Sequence, residues 1–455
     1  VIRKTLHTAV AALALLLPAA AAHALTLDQT MGGCNGVAPV RTIQANPSNY
    51  TSYVGTLQPG DRLLLAAGTY TRGLWLHNLN GQPERCIVVE GPATGSPALF
   101  LGSDNFNTVS LHNASYVAVR NLTLDGQSKQ GDGVKAEGPA LYTHHITIER
   151  LHIKNHNATE QTVGISTKSP AWNWVVRYNT IEKTGTGLYF GLSDGTVEFV
   201  NGLIEHNLVQ STIAYNMEIK HQKQRRTALG VPASGTTIIR HNVWDKESGY
   251  ATGTWATPNV LVGHWPLSGA GSTDIYQIYG NLFYQNPVEA LFQGEGNVVL
   301  HDNLFVNRSG PAIHIQPHHD KPRRIEIFHN TVLATQVGIQ IQGGDPAYRQ
   351  RSLGNAVFAA TPSTGGQQVG NLTGSYAAAS NSLLAPMAPL GQMDLYPKTG
   401  ALQGSALGAG DTGDLAAYLD WNVDWNGLAR IASFRGAYSG DGTNPGWQPS
   451  LSIKP

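Results

Sequence analysis

Lys220 lies in the stretch 214–222, where Glu218, Lys220 and Gln222 alternate with Met217, Ile219 and His221. In a short strand that alternation sends the first three side chains out of one face and the other three the opposite way. Comparable short segments elsewhere carry Lys168, Tyr189 and His264. These residue types suit proton transfer beside a carboxylate. A lysine becomes a base when burial and neighbouring cations lower its pKa, a histidine works as acid or base, and a phenol can protonate a leaving oxygen. Lys220 is therefore the candidate base or carboxylate neutraliser, His264 its acid/base partner and Tyr189 a proton donor, while Lys168 and Arg225 would bind carboxylates. Glu218, Arg226, Gln316, His318 and Arg323 join the candidate binding surface, and Trp265 and Trp255 either stack on a ligand or cover the sheet.

The elements that must hold these groups repeat. One segment recurs around Asn121, Asn179, Asn207, Asn242, Asn281, Asn303, Asn330 and Asn355, each Asn preceded by a strand-like pair and followed by apolar residues. The copies lie roughly 20 to 40 residues apart, the interval of solenoid repeats. Asn tolerates the left-handed conformation and bonds locally, so stacked turns predict an asparagine ladder, a structural role. A second short strand follows most copies. Aligned, these strands place Lys168, Gly191, Lys220, His264, Gln316 and Gln342 in one outward column and Ser166, Tyr189, Glu218, His314 and Gln340 in its neighbour. The copy holding Phe292 and Gln293 is open to a one-residue slip, which would exchange its faces. Rungs of a parallel sheet are about 4.8 Å apart, so Lys220 and His264 are expected as neighbours, with Lys168 roughly 10 Å from Lys220.

Composition narrows the class. Thirty Lys and Arg balance 30 Asp and Glu, and only 13% of residues are charged, which gives no general attraction to nucleic acid or membrane surfaces. Local charge is another matter: Lys223, Arg225 and Arg226 follow Lys220, and Lys321, Arg323 and Arg324 form a second basic loop, together one anion-attracting region. Arg3 and Lys4, an apolar run over 9–22 and the small residues Ala22 and Ala24 read as a signal peptide over 1–24, cleaved after Ala24. No later stretch is long enough to insert in a membrane. A secreted or periplasmic monomer is expected, and in that oxidising setting Cys34 and Cys86 form one disulfide.

The segment from Arg41 through Pro59, Gly60 and Asp61 to Gly68, Thr69 and Tyr70 resembles the entry of exported right-handed β-helix proteins, where a capping helix precedes a strand. The tail, with Asp424, Gly427 and Arg430 before Gly436, Ala437 and Tyr438, is similar to the terminal signature of many secreted members of that fold. The resemblance implies an all-β, single-stranded right-handed parallel β-helix, a pectate-lyase-like solenoid. Its expected parts are a cap with first rungs over 25–85, the coil over 86–360 and a loop-rich extension over 361–455.

Lys220 on such a scaffold also resembles the polysaccharide lyase family 6 architecture of alginate lyases and chondroitinase B. That likeness implies a Lys base, an Arg, and calcium held by Asn and Glu, for which Asn216 and Glu218 would be part of the site. The family's Arg-His-Gly-Asp sequence is absent, the nearest text being Gly263, His264, Trp265 and Pro266. Gln316, Pro317, His318, His319 and Asp320 resemble the Asp-Pro-His-Asp motif of β-helix mannuronan C5-epimerases. Polygalacturonase signatures (Asn-Thr-Asp, adjacent Asp-Asp, Gly-His-Gly) are absent, and paired carboxylates for hydrolysis are hard to find. Three functions stay open: a lyase acting on an acidic, uronate-containing polysaccharide by β-elimination, a C5-epimerase on the same scaffold, and a non-catalytic carbohydrate-binding solenoid.

Overall fold

The computed structural model describes residues 33, 34, 36 and 38–455, so the expected signal peptide lies outside the described residues. Short strands rich in β-branched residues, each ended by a turn, wind into parallel sheets, and every coil hydrogen-bonds to the next. The first sheet runs from Arg41–Ala45 through Ala114–Arg120, Val175–Arg177 and Ile275–Tyr279 to Gln367–Val369. The second begins at Gly68–Tyr70 and the third at Leu74–His77; both are joined late in the chain by the long strand Thr331–Ile341. The interior is filled by stacked apolar residues. On the third sheet these are Ile165, Leu188, Met217, Val260, Phe292, Ile313 and Ile339, all with 0% exposure. Since alternate residues face outward, this inward stack determines which side chains the solvent meets.

Asparagines mark the turn from the first sheet to the second. Asn179, Asn207, Asn242, Asn281, Asn303, Asn330 and Asn355 each donate from Nδ2 to the Oδ1 of the next rung's Asn at 2.9–3.0 Å, ending on Asn371. The left-handed residue is not the ladder Asn itself. It is the residue before it: Tyr178, His206, His241, Asp302 and His329 all have φ near +50°. Asn121 departs from the series, since Arg120 pairs with Glu149 and Asn121 takes the left-handed position with φ 53°. Leu122 thus replaces an amide in that rung.

At the entry, the helix Thr51–Val54 brings Tyr50, Val54 and Leu57 over the open end of the core, with Tyr50 edge-on to Tyr70 at 5.0 Å. Cys34 and Cys86 are disulfide-bonded, packing on Val88 and Ala118. Pairing continues beyond residue 361 through Ala356–Thr364, Gln367–Val369 and Leu372–Gly374, so the coil extends into the part expected to be loop-rich. The tail then folds back along the coil. Arg430 pairs with Asp302, Asp424 accepts the Leu428 and Ser439 amides at 2.9 Å, and Trp425 and Tyr438 bury beside Leu304 and Leu333. The terminal signature is therefore a clasp on the coil.

Candidate functional site

On the outer face of the third sheet one register position reads Trp75, Ser110, Lys135, Ser166, Tyr189, Glu218, Leu261, Gln293, His314 and Gln340. Two residues further along the same strands, Lys168, Gly191 and Lys220 follow one another. Gly191 has φ +92°, and a side chain there would meet the Val197 carbonyl at 3.0 Å and Lys220 Cβ at 3.3 Å. With no side chain on the intervening rung, the two lysines converge over Tyr189. Lys168 Nζ sits 3.2 Å from the Tyr189 ring centroid and Lys220 Nζ 5.4 Å from it.

The two ammonium groups have different partners. Lys220 is ion-paired with Glu218, whose side chain is only 3% exposed. Lys168 donates to the Gly191 carbonyl at 3.3 Å and rests on the aromatic face, with no carboxylate in ion-pair range among the described residues. Burial pulls its pKa down to about 7, with Lys135 and Lys220 acting the same way and Asp132 and Glu218 opposing them. Burial also pushes the Glu218 carboxyl up, against the pull of Lys220, and raises the Tyr189 phenol, which stays protonated across the physiological range.

Asp132 and Lys135 belong to this site although neither was singled out in the sequence. Asp132 accepts the Ser166 hydroxyl at 3.0 Å and the Val163 amide at 2.9 Å, and lies 3.4 Å from Lys135 Nζ. The signal was Gly133. A side chain on it would strike the Gly164 carbonyl, one on Gly164 the Gly187 carbonyl, and one on Gly187 that of Asn216, so these residues open successive rungs. Val134, Lys135 and Ala136 are thus one more copy of the outward strand.

Several expectations change. His264 does not stand beside Lys220: Met217 pairs with Val260 and Ile219 with Val262, which brings Gly263 opposite Lys220 and leaves Leu261 beside Glu218. A one-residue slip in that rung has exchanged the faces. His264 is 3% exposed, its Nδ1–H bonded to the Trp265 carbonyl. Trp265 is 1% exposed and stacked on Tyr276 at 4.2 Å, so it is core and not a ligand platform. The slip expected at Gln293 resolves in favour of the Glu218 column.

The basic loop is largely neutralised. Arg225, with a side chain 1% exposed, pairs with buried Asp274 at 2.5 Å, and Arg226 pairs with buried Glu198 at 2.6 Å. Arg323 lies over Tyr348 and donates to the Leu267 carbonyl, in a separate cavity of about 270 Å³. Gln316 is three rungs beyond Lys220, where its amide bonds the Gly294 carbonyl. His318 has an exposed side chain and a backbone amide bonded to Glu295, which also takes the amides of His319 and Asp320. Next to Lys220, His221, Lys223, His264 and His319 border a cavity of about 320 Å³ in which the His221 and His319 rings stack at 3.5 Å. Burial, then His319, pull His221 down to about 4.

Calcium does not fit the residues offered for it. Asn216 is fully buried with its Oδ1 unpaired, but Glu218, the carboxylate that would complete the site with it, is held by Lys220. Among the described residues no three His, Cys, Asp or Glu converge as a metal site.

Residues 163–351 match the family model described as a right handed beta helix region. The structure also superposes on pectate lyase Pel9A, with a TM-score of 0.50 and 12% identity, over 92% of this chain and 98% of that one. The chain is a right-handed β-helix resembling polysaccharide lyases. An alginate lyase from Paenibacillus sp. str. FPU-7 matches with a TM-score of 0.37 and 14% identity, over 74% of this chain and 98% of its own. A mannuronic acid specific family 6 lyase from human gut microbiota matches with a TM-score of 0.40 and 12% identity, over 74% and 87%. At such identities the likeness of this β-helix to the lyases is one of fold. No curated protein matches the sequence. Among the described residues no helix is long and apolar enough to cross a membrane.

Proposed function

We propose that this protein is an exported polysaccharide lyase that cleaves a uronate-containing polysaccharide by β-elimination. The observation that carries the reading is the pair of lysines over Tyr189, one held by a carboxylate and the other desolvated with a pKa of about 7. Lys168 is the base, in place of Lys220, because it lacks a carboxylate partner and burial lowers its pKa toward neutrality. Lys220, ion-paired with Glu218, faces the uronate carboxylate and stabilises the charge that develops on it. The base takes the C5 proton, the C5–H electron pair forms the C4–C5 double bond, the C4–O4 bond breaks, and the Tyr189 phenol protonates O4. Lys168 then holds the proton that Tyr189 needs back. The Cys34–Cys86 disulfide supports an oxidising compartment, hence export.

The test is incubation with a panel of uronate polymers, following ultraviolet absorbance of the unsaturated product. Lys168→Met should lose about 10²–10⁴-fold in rate, the usual size of a general-base contribution, without losing its fold. No product from any polymer, or a Lys168→Met variant as active as the parent, would sink the reading. C5 proton exchange without chain cleavage would turn it toward epimerisation.

A further inference from the structure

We infer that Trp75 and Phe106 form a distal subsite for the polysaccharide at the far end of the sheet face that carries Lys168 and Tyr189; the inference rests on the lyase reading of that face. Trp75 occupies the register position of Tyr189, reached through Ser110, Lys135 and Ser166. Four rungs separate them, about 19 Å along the coil at the spacing of parallel strands. The sequence leaves the indole no inward option, because Leu74 and Leu76 on the same strand are fully buried.

Trp75 is 49% exposed and Phe106 58%, with ring centroids 6.2 Å apart and planes tilted by 34°. Trp75 on its strand and Phe106 on the loop before Val109–His112, both kept in water, form an apolar surface that protein does not cover, a feature that marks contact sites. Their position is supported from below. Phe106 is tied back to Ser103 by an isolated bridge, and Gly131 lies so close to the Phe106 carbonyl that a Cβ would stand 2.1 Å from it. Gly131 precedes Asp132, the partner of Lys135 and Ser166, so one segment fixes both the platform and the polar groups leading away from it.

The occupant is a uronate polymer lying along the coil axis. Pyranose rings present apolar C–H faces that stack on aromatic planes, and their carboxylates meet cations. The sheet face offers these in order: aromatic rings at Trp75 and Phe106, a partly exposed ammonium at Lys135 beside Asp132, then the two lysines over Tyr189. Only a chain several sugars long spans the distance, so the subsite favours long substrates over short ones.

The experiment measures retardation in gels containing uronate polymer, using Lys168→Met and the same chain with Trp75→Ala and Phe106→Ala added. In parallel, kcat/KM is compared on long and short oligosaccharides with Lys168 intact. Thermal melting checks that the variants fold. The expected result is roughly tenfold weaker retardation and a similar fall in the long-to-short ratio of kcat/KM, equivalent to about 1.4 kcal/mol. Unchanged retardation and an unchanged ratio, in a protein that does cleave, overturn the subsite and leave the lyase reading intact. A protein retarded by polymer through these two rings yet making no unsaturated product supports the subsite and removes the lyase. Neither retardation nor cleavage by the parent overturns both.

Discussion

Two outward stacks on one coil carry charge in opposite ways. On the first sheet Glu90, Arg120, Glu149, Arg177, Glu205 and Arg240, three acids and three bases, occupy successive rungs at one register position. Their signs alternate, and the contacts are close: Glu149 meets Arg120 at 2.8 Å and Arg177 at 2.7 Å, and Glu205 meets Arg240 at 2.8 Å. On the third sheet Lys135, Lys168 and Lys220 crowd one patch in which Asp132 and Glu218 hold only the first and the last. An alternating stack satisfies itself and has nothing to offer a ligand. A stack with surplus cation leaves one ammonium desolvated, and that ammonium is relieved either by losing its proton or by meeting an anion. Binding sites are expected where a repeat architecture leaves its own charges unbalanced.

The comparison is broken most directly by removing one charge from each stack. Glu149→Gln should cost about 3–5 kcal/mol of stability in urea unfolding, because Arg120 and Arg177 lose a buried partner, while the specific activity of folded molecules is kept. Lys168→Met should do the reverse, cutting elimination by about 10²–10⁴-fold in a protein no less stable than the parent near neutral pH. A Glu149→Gln cost below about 1 kcal/mol would place the ladder with ordinary surface pairs.

A smaller effect sharpens the electrostatic account. If neutral Lys168 is the base, kcat/KM is high above a pH of about 7 and falls as the pH drops through it. Glu218 holds the Lys168 pKa up, so Glu218→Gln should move that acid limb to lower pH even as it lowers the rate by freeing Lys220. A limb that stays in place would separate Lys168 from the chemistry.

The smallest effect is on stability. Burial lowers Lys168, Lys246 and Lys454 each to about 7 from an ordinary 10.5. Between those two pH values the unfolded chain keeps protons that the folded chain has released, so stability should rise with pH across that window. Lys168→Met and Lys246→Met should each flatten the rise in urea titrations; a slope equal to the parent's in both would contradict the burial described. Lys246 differs from Lys168 in donating to the Thr257 carbonyl and hydroxyl at 2.6 and 2.8 Å with no exposure, which marks it as structural.

Much of the scaffold was legible because its signals are local. The asparagine series could be read directly, and only Asn121 misled, since its neighbours match the pattern while its backbone takes the left-handed position. The outward strand holding Glu218 and Lys220 was also legible from alternation alone. The following rung was not. Between Lys220 and Val260 the chain makes a long excursion, and a period-two pattern cannot tell which of two adjacent residues resumes the column, so His264 was placed where Gly263 stands. The arginines at 225 and 226 looked free because Asp274 and Glu198, which neutralise them, lie far away in sequence.

By itself the sequence determined the coil, its cap, its amide ladder, its disulfide and the outward direction of Lys168, Tyr189, Glu218 and Lys220, because strand alternation and turn chemistry act over a few residues. Only the tertiary structure decided which lysine is paired and which is desolvated, that His264 and Trp265 are buried, and that Trp75 shares a column with Tyr189. Burial and ion pairing are set by neighbours on other rungs, and the lengths of the loops between rungs decide who those neighbours are.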